Sequence, residues 1–397
     1  MARHKRRLWL AFIAVVLVAM ALGAMLQVST GRALEHAEAF KFRRMLVTRQ
    51  GEQGRYRFFF VTNRGTDKSD GPLEDRFDNQ RTAHLNFGLF DTDIQQSLGV
   101  GMLVNPTDWF QNEEIQLRDV RNLEQGDFVD KLRQQVDASP HRSLLINING
   151  FRERFPSALR KTAFLAHVLD IDSPTLVFDW PGNQGSTPRG YLRAQRVAGE
   201  SGAELAETVE LIVRELRPDN LWIVANSMGA EVVVNAFTRL AEIPDMADAE
   251  NEIDAVVLTA PDVSHAQFGR QFRDEINALT EDLVVYVSSN DRALLTSRLL
   301  NRERRLGEST VDPRNPDQSE EALKTLDLID AGSSRTTLVD VTPINRTRNF
   351  HNFSLETPEF FDDLFLRLTN DATPDSRLRY RVVTATGTEY WVLTRGR

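Results

Sequence analysis

The chain of 397 residues contains no cysteine. This absence excludes disulfide bonds, thiolate metal sites, a cysteine nucleophile and a lipid-modified N-terminal cysteine. Histidine is also sparse, with 7 residues scattered along the chain, and no glycine-rich phosphate loop follows a predicted strand. We therefore expect an activity that needs neither a metal nor a cofactor.

An excess of positive charge is lacking as well, because 48 Lys and Arg face 57 Asp and Glu and the formal net charge is −9. The sequence has no basic stripe with interleaved aromatic residues, so a nucleic-acid partner is not expected. With 41% hydrophobic residues, the chain suffices for one large α/β domain or two small ones.

The N-terminus carries a long apolar run. Four basic residues at positions 3 and 5–7 precede uninterrupted apolar residues from Leu8 to Leu26. At about 1.5 Å per residue, a helix of this length comes close to the thickness of a bilayer core. The flanking charge predicts a single-pass anchor in the cytoplasmic membrane, with everything after Gln27 on the outer side. The alternative is a signal peptide that is cleaved near Ala19-Met20-Ala21, followed by export.

Short apolar runs alternate with amphipathic segments from residue 143 onward, after strand-like runs at 56–64 and 84–90. One amphipathic segment, 203–216, has Leu205, Val209, Ile212, Val213 and Leu216 on one stripe. This alternation is typical of a mostly parallel sheet with helices on both faces. The predicted strands cover 144–148, 175–178, 221–225, 255–259, 283–288 and 337–341, and the predicted helices cover 157–169, 203–216, 266–279 and 358–368, with a further helix after Gly229.

The rest of the chain divides around this α/β region. Residues 1–27 form the basic stub and anchor, and the polar stretch 28–55 is interpreted as a linker. The main domain covers 56–370 and includes a charged insertion, 301–321, that we expect to be a solvated loop near the strand ends. The extension 371–397 alternates around Thr386-Gly387 and predicts a β-hairpin over 379–394.

A strand, a sharp turn and a helix surround Ser227. The apolar run Leu221–Ala225 predicts a strand buried on both faces, and helical spacing begins after Gly229. Ser227 therefore lies at a helix N-terminus, where free N–H groups favour negative charge. The segment has the pattern of a nucleophile elbow, G-x-S-x-G, with Ala225 in place of the first glycine. The simpler alternative is that Ser227 is an ordinary helix cap.

A second candidate element is Asn149-Gly150-Phe151, which ends a predicted strand. Glycine there permits close backbone approach, so that the N–H of Phe151 and the N–H of Met228 could form an oxyanion hole. A simple strand-ending turn is the alternative.

A serine in a nucleophile elbow needs a histidine base and an acid that orients the histidine. In folds with this elbow the three residues follow one another along the chain in the order Ser, acid, His, so the candidates lie after Ser227. Asp291 follows the strand 283–288, and Asp262 follows the preceding strand; either could instead cap the next helix. His351 lies between the last predicted strand and the last helix, whereas His265 lies just inside a helix beside Asp262. Asp291 and His351 satisfy both chain order and position at strand ends, so we predict a triad of Ser227, Asp291 and His351.

The chain resembles the alpha/beta-hydrolase superfamily from about Phe58 to Leu368, and within it a bacterial esterase/lipase-like branch of unknown function. The resembling segments are Phe60–Arg64, Asn149–Phe151, Phe178–Pro181, Ala225–Gly229, Ala260–Asp262, Tyr286–Leu294 and His351–Phe353. The resemblance implies the alpha/beta-hydrolase fold and the same Ser227, Asp291 and His351 triad. The chain departs from that branch at Asn149 and Asn226, where histidine is usual.

Two hypotheses follow from these observations. The first is a membrane-anchored serine hydrolase that cleaves carboxylic esters, with a small-molecule or lipid ester as substrate. Lipase, short-chain esterase, thioesterase and amidase share this machinery, and the sequence does not separate them. The second is a catalytically silent protein of the same fold that acts as a binding module at the cell envelope.

Overall fold

The computed structural model describes residues 45–50, 55–67, 70–95, 114–247, 253–308, 336–347, 350–369, 379–383 and 389–394. The strands among them are β1 (Arg49–Gln50), β2 (Arg55–Thr66), β3 (Phe77–Ile94), β4 (Ile115–Leu123), β5 (Ser143–Ile148), β6 (Thr175–Asp179), β7 (Asn220–Asn226), β8 (Ile253–Thr259), β9 (Thr280–Val287), β10 (Thr336–Asp340), β11 (Arg379–Val383) and β12 (Glu389–Leu393).

All the strands of the described residues belong to one mixed sheet. Its order is β11-β12-β10-β9-β8-β7-β5-β6-β2-β3-β4, and β1 pairs with β2. Every neighbouring pair from β2 to β12 along this order is parallel. The antiparallel pairs lie at the two ends of the sheet: β1 with β2, β2 with β3 and β3 with β4 at one end, and β11 with β12 at the other. The carboxyl ends of the central strands therefore meet at one edge, where a ligand site is expected.

Helices connect most of the central strands. They are α1 (Leu73–Arg76), α2 (Gln125–Ala138), α3 (Phe155–Leu169), α4 (Pro188–Glu215), α5 (Gly229–Leu240), α6 (Pro244–Ala247), α7 (His265–Gln267), α8 (Arg273–Leu279), α9 (Arg292–Asn301), α10 (Phe353–Glu356) and α11 (Pro358–Leu368). A π-helical turn, Phe268–Phe272, joins α7 to α8, and a 3₁₀ turn covers Leu306–Glu308.

The core lies on both faces of the sheet. One face, which we call the α4 face, is covered by α2, α4, α5 and α8. The opposite face, which we call the α3 face, is covered by α3 and α11. Strand β7 shows how one apolar run serves both: Leu221, Ile223 and Ala225 pack on the α4 face, while Trp222 and Val224 pack on the α3 face. Because β7 is enclosed between β5 and β8, an uninterrupted apolar run is the pattern that this position requires.

The sequence predictions for the central α/β region agree with this architecture. The stripe chosen on helix 203–216 is buried at all five positions, so that prediction is confirmed. The helix itself begins much earlier, because Thr187 caps α4 by accepting a hydrogen bond from the Gly190 N–H at 3.1 Å. Strand β4 and helix α2 lie between residues 115 and 138, where no element was predicted from the sequence.

Two stretches outside the predicted strands and helices contact the rest of the domain. At the end of the predicted linker, Arg49–Gln50 pairs with β2, and the N–H groups of Leu46 and Val47 donate to Asp172. Within the predicted insertion 301–321, Arg305 is only 2% exposed and forms an ion pair with Asp262. The solvated-loop expectation is therefore wrong at Arg305, since a long-range carboxylate draws its guanidinium into the protein.

Both ends of the chain carried further predictions. The predicted membrane span at residues 8–26 lies outside the described residues, and no helix within the described ranges is long and apolar enough to cross a bilayer. At the other end, β11 pairs antiparallel with β12, and β12 pairs in parallel with β10. Those two strands therefore extend the sheet beyond β10.

Candidate active site

Ser227 occupies a strained turn between β7 and α5. Its φ angle is 53°, in the left-handed region that residues with a Cβ rarely adopt. The backbone fixes the turn, because the Ser227 N–H donates to Thr259 O at 2.9 Å and the Ser227 carbonyl accepts from Ala230 and Asp262, both at 3.1 Å. The side chain is thus held at the carboxyl edge of the sheet by contacts from β8 and α5.

Gly229 allows this turn to lie close to the neighbouring strand. A Cβ added at Gly229 would lie 2.7 Å from the Ile148 carbonyl oxygen and 2.8 Å from that of Asn149. Both contacts are with backbone, which cannot move aside as a flexible side chain can. The glycine that the sequence pattern singled out is therefore required by packing between α5 and the end of β5.

The three side chains chosen from the sequence lie in one hydrogen-bonded series. His351 Nε2 lies 2.9 Å from Ser227 Oγ, and His351 Nδ1 lies 2.7 Å from Asp291 Oδ2. Asp291 is 2% exposed and Ser227 is 6% exposed, whereas the His351 side chain is 16% exposed. The acid and the serine are thus shielded from bulk water. Such an arrangement can transfer a proton from the serine hydroxyl to the imidazole and stabilise the resulting imidazolium.

Asp291 also caps a helix. Its Oδ1 accepts hydrogen bonds from the N–H groups of Ala293 and Leu294, both at 3.0 Å, at the start of α9. The cap leaves Oδ2 directed at His351 and fixes the carboxylate in one orientation. The two interpretations of Asp291, helix cap and orienting acid, therefore hold together.

The charge of His351 is set by competing effects. Burial lowers the pKa of His351, but the Asp291 charge and hydrogen bond, with a contribution from Asp262, outweigh burial and raise this pKa above its ordinary value. Lys161 acts in the opposite direction. His351 is accordingly a stronger base than an unperturbed imidazole.

Two backbone N–H groups adjoin the serine. Met228 is the N-cap residue of α5, and Phe151 follows Gly150, whose added Cβ would lie 3.0 Å from Ser227 Cβ. Within the described part of the chain, neither the Met228 N–H nor the Phe151 N–H donates a hydrogen bond. Both N–H groups are thus available to an oxygen that develops negative charge beside Ser227.

A buried arginine holds the loop that contains Phe151, and sequence reasoning gave it no role. Arg64, at the end of β2, pairs with Asp179 at 2.6 Å and donates to the carbonyl oxygens of Trp180 at 2.7 Å and Glu153 at 2.9 Å. The Trp180 indole N–H in turn donates to Asn149 O at 2.8 Å. The sequence feature that could have indicated this ion pair is an Arg and an Asp that each stand at the end of a predicted strand.

The alternative acid, Asp262, belongs to a separate buried cluster. Its carboxylate accepts hydrogen bonds from Tyr191 at 2.8 Å, Ser297 at 2.6 Å and Arg305 at 2.6 Å. The alternative base, His265, begins α7 and donates its N–H to Arg304 O at 3.0 Å. The Ser227 hydroxyl pairs with His351 and not with His265.

Asn226 and Asn149, which stand where the resembling hydrolases usually have histidine, each form hydrogen bonds. The Asn226 side-chain amide donates to Thr259 Oγ1 and Ser354 Oγ, both at 3.0 Å, and so links the serine turn to the segment after His351. The Asn149 amide donates to Ala158 O at 3.2 Å, in α3. Neither asparagine interrupts the series from Ser227 to Asp291.

A cavity of about 450 Å³ opens onto Ser227 and His351. Its walls come from both sides of the sheet, with Phe151 and Tyr191 on one side and Asn147 and Lys161 on the other. The volume falls in the range of sites for small ligands. In the described residues, no group of three or more His, Asp or Glu side chains could hold a metal ion.

Comparison with known proteins gives one family. The model of the family described as "Alpha/beta hydrolase of unknown function (DUF900)" matches residues 124–361, more than half of the chain. The matched range contains Ser227, Asp291 and His351. No curated protein matches the chain.

One similar solved structure is a lipase-esterase related protein from Clostridium acetobutylicum ATCC 824. It is 12% identical, the alignment covers 57% of this chain and 93% of that chain, and the TM-score is 0.28. A likeness this distant says nothing about what this chain does.

Proposed function

Because the chain belongs to the alpha/beta hydrolases of unknown function, we propose that it is a serine hydrolase that cleaves carboxylic esters. The observation that carries the proposal is the series from Ser227 Oγ through His351 to the buried Asp291, with distances of 2.9 and 2.7 Å. A strained serine, an oriented imidazole and two available N–H groups are what nucleophilic acyl transfer requires.

The reaction would proceed in two stages. The Ser227 oxygen attacks the ester carbonyl carbon while its proton passes to His351 Nε2, and Asp291 stabilises the imidazolium. The bond to the leaving oxygen then breaks, and His351 returns the proton to release the alcohol. Water, activated by His351 in the same way, attacks the acyl-serine, releases the carboxylic acid and restores the Ser227 hydroxyl.

The N–H groups of Met228 and Phe151 would bind the oxyanion of each tetrahedral intermediate. Such donors contribute roughly 3 kcal/mol each to stabilisation of the transition state. Their contribution depends on where the two N–H groups lie relative to the oxyanion. Gly150 and the buried Arg64–Asp179 pair support the position of the Phe151 N–H, because they hold its loop beside Ser227.

We further propose that the enzyme is anchored in the cytoplasmic membrane through residues 8–26, with its catalytic domain on the outer side. The basic residues before the run and its length support this orientation. The substrate would then be a small-molecule or lipid ester that is accessible from that side.

The experiment is ester hydrolysis by the wild type and by Ser227→Ala, with Ser186→Ala as the matched control. Ser186 is an exposed serine that also lines the cavity. We expect Ser227→Ala to lower kcat by about 10⁴-fold or more, and Ser186→Ala to change it little. Equal rates in the wild type and Ser227→Ala would contradict the proposal and favour the silent binding module.

A further inference from the structure

The lining of the cavity at Ser227 comes from both faces of the sheet, and we call the two parts of the cavity the α4 lobe and the α3 lobe. The α4 lobe is lined by Phe151, Thr187, Pro188, Tyr191, Ser297 and Leu300. The α3 lobe is lined by the polar residues Asn147, Asn149, Lys161, Asn226 and Ser354 and by the apolar residues Leu165, Val224, Leu355 and Phe360. The two halves of an ester lie on opposite sides of its carbonyl carbon. With that carbon at Ser227 Oγ, one half would enter each lobe.

Buried polar groups of the α4 lobe already have partners. Tyr191 and Ser297 both donate to Asp262, and Asn301 donates to the Tyr191 oxygen at 3.1 Å. Their hydrogen-bonding capacity is used within the protein, and the apolar surfaces of Phe151, Pro188 and Leu300 line the same lobe. This lobe suits the acyl group.

The α3 lobe differs because it contains amide oxygens without donors. Asn147 is only 5% exposed, and its NH₂ donates to Thr162 at 2.7 Å. Within the described residues, its Oδ1 accepts no hydrogen bond, and the same holds for Oδ1 of Asn149 and Asn226. These oxygens line the cavity without a protein donor, so they favour a ligand that supplies donors.

The charges of the α3 lobe restrict the kind of donor. The Lys161 ammonium lines this lobe and pairs with Glu153 at 2.5 Å. A cationic ligand would be repelled by Lys161, and an anionic one would meet Glu153 and the amide oxygens. Neutral hydroxyl groups satisfy the acceptors without either conflict.

The position of His351 indicates which half of the ester enters the α3 lobe. His351 must give its proton to the leaving oxygen. Asn352 and Ser354, which directly follow His351, line the cavity, and Ser354 accepts from Asn226 on the α3 face. The leaving group would therefore lie on the α3 side.

We propose that the α3 lobe binds the leaving alcohol and that this alcohol carries further hydroxyl groups, as in an ester of a polyol or a sugar. The acyl group then lies in the α4 lobe. This inference rests on the proposed serine hydrolase function and assigns its substrate class.

The test compares two esters that differ only in the hydroxyl groups of the alcohol, glycerol 1-butyrate and propyl butyrate, with the full-length chain. We expect the wild type to prefer the glycerol ester by about tenfold in kcat/KM, which corresponds to about 1.4 kcal/mol. Asn147→Leu, which removes the amide at similar volume, should bring this preference close to one by raising KM for the glycerol ester.

Asn220→Leu is the matched control, because Asn220 lies at the other end of β7 and donates to His141 O. It should keep the wild-type preference. Labelling of Ser227 by a fluorophosphonate checks that each variant has an intact site. A labelled wild type without preference, or a labelled Asn147→Leu with unchanged preference, would overturn the substrate class and leave the hydrolase standing. Absence of labelling in the wild type would overturn the hydrolase itself.

Discussion

Asp291 shows how one side chain can meet two requirements at once. A lone aspartate after a strand most often caps the following helix, and the sequence presents capping and catalysis as alternatives. In the structure, Oδ1 caps α9 while Oδ2 contacts His351. The cap is thus part of what orients the imidazole.

This division of roles gives a prediction for Asp291→Asn. Asparagine is a good helix cap, so α9 and the melting temperature should be retained. The loss of the carboxylate should lower kcat by roughly 10⁴-fold, because the imidazole tautomer is no longer fixed. Asp291→Ala, which also removes the cap, should lower the melting temperature in addition.

The pH profile of the same variant tests the electrostatics. The base must be neutral, so wild-type kcat/KM should rise with pH through the raised pKa of His351. Without the Asp291 charge, burial dominates and this pKa falls. The acidic limb of the residual activity should therefore move to lower pH; a limb that stays in place would contradict the assigned cause.

At the scale of elements, the strand ends are held together by Arg64. Its side chain is 0% exposed and joins β2 to the loops after β6 and β5. A charge this deeply buried is tolerated because Asp179, Asn79 Oδ1 and the carbonyl oxygens of Asp78, Glu153 and Trp180 surround it. The loop that presents the Phe151 N–H therefore depends on a residue far away in the sequence.

Arg64→Met is expected to destabilise the protein by about 3–5 kcal/mol, because Asp179 would remain buried without its ion partner. Chemical denaturation measures this loss. Arg55→Met, on the same strand, removes an ion pair with Asp93 that is largely exposed and should leave the midpoint unchanged. If the two variants unfold at the same denaturant concentration, Arg64 does not hold the strand ends.

Much at this scale could be predicted from the sequence because it is local. Apolar runs, helical stripes and the serine turn are each encoded within about twenty residues. The pairing of Arg64 with Asp179 and that of Arg305 with Asp262 are not local, since each joins residues that only the folded sheet brings together. The charged run around Arg305 therefore predicted a solvated loop, and the buried ion pair was missed.

At the scale of the whole molecule, the order of the chain along the sheet builds the site. Ser227 follows β7, Asp291 follows β9 and His351 follows β10, and these strands lie on the same side of β5 in one sheet. Asp291 and His351, which chain order and strand-end position favoured over Asp262 and His265, are the side chains that lie in one series with Ser227. The lining of the cavity could not be predicted from the sequence, because it depends on side chains that α3, α4 and the strands bring together only in the folded protein.

The proposed anchor gives a prediction at this scale. Deletion of residues 1–27 should move the protein from the membrane fraction to the soluble fraction, because the apolar run is removed. Its kcat on a soluble ester should stay within about twofold of the full-length value, because Ser227, Asp291 and His351 all lie in the α/β region. A deletion variant that remains with the membranes would contradict an anchor at residues 8–26.

The central claim is that Ser227 is a nucleophile activated by His351. The most direct measurement is mass spectrometry of peptides from the full-length protein after treatment with a fluorophosphonate. The account predicts a covalent adduct on the peptide that contains Ser227, and much slower labelling in His351→Ala. A folded protein that stays unmodified at Ser227, or labels equally fast without His351, would contradict it.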